Sequence, residues 1–410
     1  MLRRYPWLTL LTLPLLLASC GLPGTNSRRD VIRFGATISI TGQTAKEGEY
    51  TRDGYMLFVE AINARGGITV GGRAYQVALR YYDDESRPER AAELYEKLIA
   101  EDRVDLLLGP YGSGPTATAS RVAERHQIPL VVANGSADGI FTPGNRYTFG
   151  VMTPASRYLD GIVELAAAAQ PPLKTVAILY ADDPFARAAA DGAAAYARQR
   201  GLTVVARKQY PADTQDVSGQ LAGVKSQAPD LLLGATHLQD ALLIMRQAKA
   251  LGLAPRAIGF SVGPSSPEFR KTLRSDADYV FGATQWTSAL DYQGDDLWGT
   301  PTAFARAFAA RYPQYKSIPY TAACSAASLI AYQRAIERAG RLDRAAIRDA
   351  LSALSVNTFF GPIAFDARGV NSARPMAIEQ LQPDGRQYTV FPARVAERPS
   401  LIPMKPWNQR

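Results

Sequence analysis

Cysteine and histidine are almost missing from this 410-residue chain, which has two of each. Cys20 sits in the N-terminal segment and Cys324 stands alone far from it, so no intramolecular disulfide framework is available. With Cys20 committed to the N-terminus, neither a Cys₂His₂ nor a Cys₄ metal site can be assembled. The two histidines, His126 and His237, have no nucleophile partner at a telling spacing. Neither a Gly-x-Ser-x-Gly elbow nor a His-Glu-x-x-His helix occurs, so no enzyme class is indicated. Nowhere do five basic residues run together, and the formal charge of +8 includes Arg3 and Arg4. That thin excess gives no nucleic-acid footprint.

What is present begins with a charged start, Arg3-Arg4, followed by the apolar run "WLTLLTLPLLLA" and then "LASC" at Cys20. A basic n-region, an h-region too short to span a bilayer and small residues before a cut describe a secretory signal. Leu17-Ala18-Ser19-Cys20 resembles the bacterial lipobox, which implies a signal peptide over 1–19 and a lipid on Cys20. Residues 20–30, rich in Gly, Pro, Ser and Asn, then form the tether. The folded part is expected from Val31. The chain exceeds the size at which a single core stops growing, about 250–300 residues, so two lobes are expected.

From Val31, apolar runs of strand length alternate with amphipathic helical segments, predicted at 47–64, 88–102, 115–126, 156–169, 184–200, 215–227 and 238–251. Such alternation predicts parallel sheets covered by helices, a doubly wound α/β architecture. "VDLLLG" at 104–109 recurs as "PDLLLG" at 229–234, each followed by a helix and a Pro-led strand, so two sheets built on one plan are predicted. Past Tyr279 come helices predicted at 301–312, 319–339 and 343–354. The segments "FFGPIAFDARG" and "MAIEQLQPDGRQYTVFP" then read as antiparallel strands, with a turn at Asp384-Gly385. Residues 396–410 are a C-terminal tail.

The turn "GPYGSGPTA" follows the first "LLLG" strand. It satisfies the dinucleotide pattern formally, but the next strand ends in Asn134 where an acid would hold the ribose, and Pro115 removes a donor from the first helical turn. No Gly-Lys-Ser/Thr follows to make a P-loop. The candidate is a small-anion site: Ser113 offers a hydroxyl and an N–H and Gly114 an unobstructed N–H, with Asn134 and Ser136 on the adjacent strand end. Capping of the helix by Ser113 is the competing reading. No cofactor and no metal is implied, and the acidic pairs Asp83-Asp84 and Asp182-Asp183, at strand ends, read as caps or as solvent-binding groups.

The ordered set "GATISITGQTAKEGEYTRDGYMLFVEAINARGGI", "YYDDESRPERAAELYEKLI", "LLLGPYGSGPTATA", "IPLVVANGSA", "YADDPFARA", "DLLLGATHLQDALLIMRQAKALGL" and "FGPIAFDARG" resembles the type I periplasmic binding proteins of the Leu/Ile/Val group, receptors of ABC importers. The resemblance spans about residues 31–395. It implies two Rossmann-like lobes, 31–152 plus 286–377 and 153–285 plus 378–395. Three crossovers near 150–155, 283–287 and 375–379 join them, with the ligand in the cleft between and closure by hinge motion. It implies an extracytoplasmic protein, held to the membrane through Cys20, whose partners are a small solute, an amino acid or related carboxylate, and the permease subunits. A sensor or scaffold acting through a protein partner is the alternative. By position, Ser113 and Ser136 fall on the ligand carboxylate and the Asn134 carbonyl on its amine. Phe185 covers the ligand and His237 stands where a Tyr is common. Ser261 stands where amino-acid binders place an acid. Glu47, in the loop after the first strand, is then the candidate acid, its other reading being a helix N-terminal Glu. Trp286 is read either as pocket lining or as hinge packing.

Overall fold

Alternating strands and helices build two sheets in the computed structural model, which describes residues 1–2, 31–142 and 144–410. The signal peptide, the lipobox, Cys20 and the tether therefore lie outside the described residues. The first part runs β1 (Val31–Ile38), α1 (Ala45–Ala64), β2 (Ile68–Val70), β3 (Arg73–Asp83), α2 (Pro88–Ala100), β4 (Leu106–Leu108), α3 (Ser113–His126), β5 (Leu130–Val132) and β6 (Thr148–Gly150). The second runs α4 (Asp160–Ala168), β7 (Thr175–Ala181), α5 (Pro184–Gln199), β8 (Thr203–Tyr210), α6 (Ser218–Lys225), β9 (Leu231–Ala235), α7 (Leu238–Ala250), β10 (Ala257–Phe260), α8 (Pro267–Leu273) and β11 (Phe281–Thr284). Then follow α9 (Pro301–Arg311), α10 (Tyr320–Ala339), α11 (Arg344–Ser352), β12 (Ser355–Thr358), β13 (Gly361–Ala364), β14 (Ala377–Leu381) and β15 (Gln387–Phe391).

The sheet orders are β2-β3-β1-β4-β5-β6 and β15-β14-β11-β10-β9-β7-β8. Within each, the βα repeats pair in parallel, and the chain reverses its direction of travel once, between β1 and β4 in the first and between β7 and β9 in the second. This is the two-lobed, doubly wound α/β fold. The two "DLLLG" copies are β4 and β9, both internal strands with every residue buried, which explains their lack of polar alternation. Outward-facing strand ends at each reversal are where such sheets hold ligands.

Helix α10 is rich in Ala and Ser because α1 lies against it at backbone distance. A Cβ on Gly54 would stand 2.2 Å from the Ala322 carbonyl oxygen, so nothing larger than glycine fits there. Segments 376–392 form the hairpin β14–β15 around Asp384-Gly385, with β14 antiparallel to β11. The "FFGPIAF" strand instead pairs with β12, in a hairpin of its own. The tail packs back on the second sheet's lobe, where Met404 N–H donates to the Arg256 carbonyl (2.9 Å) and Trp407 Nε1 to that of Leu253 (2.9 Å). Among the described residues, no helix is long and apolar enough to cross a membrane.

Candidate functional site

Both reversal points face one buried region. After β1 comes Glu47, after β4 Tyr111 and Ser113, after β7 Asp183 and Phe185, and after β9 His237. Two adjoining cavities lie among them. The first, with about 10 Å³ of free space, is lined by Tyr111, Gly112, Ser113, Asn134, Ser136, Met152, Tyr158, Phe185, His237, Val262 and Tyr320. The second, with about 20 Å³, has Glu47, Tyr50, Leu238, Ser265, Ser266 and Thr321 in its wall and shares Val262 and Tyr320 with the first. Each has room for about one water, so the lobes must part to admit a solute.

Ser113 does not cap its helix. The cap is Gly112, held at φ 87°, a left-handed conformation that only glycine takes without strain. The helix starts two residues before the expected 115. The Ser113 hydroxyl oxygen instead accepts the N–H groups of Ser136 (3.1 Å) and Ala137 (3.0 Å). Its own proton remains for another acceptor, at a helix N-terminus where anions are favoured. Ser136 stands beside it, 2% exposed. Gly114 turns away: a Cβ there would meet Pro88 of α2 at 3.3 Å, and it lines neither cavity. Only its backbone N–H is left from that expectation.

Asn134 lines the first cavity while stitching the lobe. Its carbonyl accepts Gly112 N–H (2.9 Å), and its amide nitrogen donates to Thr51 Oγ1, the Thr321 carbonyl and Ser325 Oγ at 3.0–3.2 Å. Ser261 lines neither of these cavities: its hydroxyl accepts from Thr236 N (2.9 Å) and donates to Thr236 O (3.1 Å), tying the ends of β9 and β10. Trp286 also lies outside both walls. It donates from Nε1 to the Phe359 carbonyl (3.2 Å) and sits edge-on to Phe304 and Phe359, in a packing cluster beside the second crossover.

Phe185 begins α5 under the cap of Asp183, whose carboxylate accepts the N–H groups of Phe185 (2.8 Å) and Ala186 (3.0 Å). The Phe185 ring meets Tyr158 at 5.0 Å and His237 at 5.3 Å. His237 joins the lobes, with Nδ1 3.1 Å from the Tyr111 hydroxyl and Nε2 3.8 Å from Asp183. Burial alone would lower its pKa, but Asp183 first, then Asp240 and Glu47, carry it up to about 9. Burial pushes the Glu47 carboxyl up against the opposing pull of His237 and of the Glu47 and Leu238 N–H groups. Asp183 is held below the usual range because His237 and its two backbone donors outweigh burial. A second set of contacts closes the rim: Tyr50 donates to Glu268 and lies 3.4 Å from Ser266, and Lys46 stands 3.6 Å from Glu268.

Tyr111, Tyr158, Tyr320, Met152 and Val262 are wall residues that the sequence reading missed. Tyr111 lay inside the quoted turn and was legible there. Tyr320 arrives from helix α10, whose placement no local pattern discloses.

A family model described as periplasmic binding protein matches residues 31–386. The chain belongs to the periplasmic binding protein family. Leu/Ile/Val-binding protein homolog 7 of Brucella abortus is 25% identical over 384 residues, 89% of this chain and 92% of that protein. Homolog 8 from the same organism is 27% identical over 298 residues, 68% and 70% of the two chains. The family's solved folds agree. LivJ of Streptococcus pneumoniae in complex with isoleucine superposes with a TM-score of 0.72 at 21% identity, over 87% of this chain and 97% of that one. A solute-binding protein of an R. palustris ABC transporter in complex with benzoate does so with 0.74 at 20% identity, over 90% and 97%.

Proposed function

We propose that this protein is an extracytoplasmic receptor, not an enzyme, that captures a small carboxylate between its lobes by hinge closure and delivers it to an ABC permease. In this reading the lobes are 31–152 with 286–377 and 153–285 with 378–395, and a lipid on Cys20 tethers the chain to the membrane. Family membership supports the receptor class. The solutes of the related complexes, an amino acid and an aromatic acid, have the carboxylate in common. The observation that carries the carboxylate assignment is the Ser113 hydroxyl. It accepts two backbone N–H groups, and so keeps its proton for a ligand oxygen in a buried cavity at the start of α3.

Ser113→Ala removes that donor and unseats the loop N–H groups it holds. Binding is expected to weaken by about 1.5–3 kcal/mol, the range for hydrogen bonds to charged groups, or roughly one to two decades in Kd. Isothermal titration with a bound carboxylate measures this, and an unchanged Kd rules the assignment out.

A further inference from the structure

Three carboxyl groups surround one imidazole, two from its own lobe and one from across the cleft, and they are not equally served. Asp183 accepts two N–H groups at the start of α5, and Asp240 accepts the His237 N–H at the start of α7 (3.2 Å), so helix N-termini offset both charges. Glu47 is 3% exposed, and its Oε2 has no hydrogen-bond partner among the described residues. The groups facing it are His237, the Asp240 carboxyl, the Leu238 and Glu47 N–H groups, and the hydroxyls of Tyr50, Tyr111 and Tyr320. An unfilled carboxylate oxygen at such a depth is costly unless something supplies a proton donor or a cation. It lines the second cavity, whereas Ser113 and Ser136 line the first, and Tyr320 and Val262 stand at the boundary of both. The anion-binding and cation-binding features are thus one cavity apart. An α-amino acid carries both charges on one carbon, whereas these two features line separate cavities.

We infer that the solute is a carboxylate carrying a cationic group several bonds away, an ω-amino or ω-guanidino acid, with Glu47 as the counter-ion of that distal group. This rests on the reading that Ser113 and Ser136 hold the carboxylate. Titration of the full chain with three straight-chain acids of equal carbon number, pentanoate, norvaline and δ-aminovalerate, tests it. δ-Aminovalerate should bind at least tenfold more tightly than either of the others. Glu47→Gln should abolish the preference for δ-aminovalerate over pentanoate, so that the ratio of the two Kd values falls to about one. Norvaline binding as tightly as δ-aminovalerate overturns the inference, and so does a Glu47→Gln variant that weakens both acids equally, since Glu47 would then serve closure alone. In either case the carboxylate reading stands if Ser113→Ala weakens all three. Failure of all three acids to bind removes that reading and the inference with it. The wild-type ranking decides the matter even where the variant does not fold.

Discussion

Arg374→Ala is expected to lower the free energy of unfolding by about 3–5 kcal/mol, the range for deleting a large buried side chain or one member of a buried charged network. Arg374 is 1% exposed and lies over the Phe360 ring at 3.7 Å. No salt-bridge partner serves it among the described residues, and burial lowers its pKa. Its guanidinium donates to the Gln285 carbonyl, to Gln285 Oε1 (2.6 Å) and to the Phe360 carbonyl (3.4 Å). Gln285 in turn accepts Thr153 N–H (3.0 Å) and donates to the Thr153 carbonyl (3.1 Å), while Thr153 Oγ1 donates to the Arg374 carbonyl (3.2 Å).

These three residues lie on the three segments where the chain passes between the sheets: Thr153 after β6, Gln285 after β11, Arg374 before β14. The ring of bonds therefore binds the crossovers to one another. Removing the guanidinium leaves both a void and buried carbonyls short of donors. Arg374→Met retains much of the packing over Phe360 and should lose less, which separates volume from hydrogen bonding. Urea denaturation at constant m-value reads the difference. A loss under about 1 kcal/mol for the alanine variant would mean that the crossovers are held by packing alone.

Much of this architecture is written locally. The "DLLLG" strands, the Pro-led strands after them and the helix starts at Pro184 and Leu238 stand where patterning puts them, because each depends on neighbours within a few residues. The cleft wall is different. Asn134 reaches Thr321 and Ser325, and Tyr320 enters both cavities, across separations of more than 180 residues. Ser261 shows the complementary limit. The resemblance puts it where amino-acid binders have an acid, yet with serine there the hydroxyl turns to the Thr236 backbone, and Glu47, the acid proposed for the ligand, lies on the other lobe.

The same charge pattern makes stability depend on pH through His237. Its folded pKa of about 9 lies above its unfolded value of about 6.5, so the folded state binds a proton more tightly than the unfolded one. The stabilisation is fully present below about pH 6.5 and is lost as pH rises toward 9. The two values correspond to about 3 kcal/mol between the ends of that window. The groups facing His237 are Asp183 on α5, Asp240 on α7, Glu47 on α1 and the Tyr111 hydroxyl. Asp183 is held below the usual carboxylate range and so keeps its charge throughout the window. The expected result is a melting temperature that falls more steeply between pH 6.5 and 9 in the wild type than in His237→Gln, where the Glu379 carboxyl, pushed up by burial to about 8, still adds a fall below pH 8. Since Glu47 and Tyr111 belong to the first sheet's lobe and His237 to the second's, deprotonation also loosens the contact between lobes. The on-rate and off-rate for ligand should then shift over the same interval. Parallel melting profiles for the two proteins would show that the imidazole carries no charge in the folded state and that Tyr111 meets it as a neutral partner.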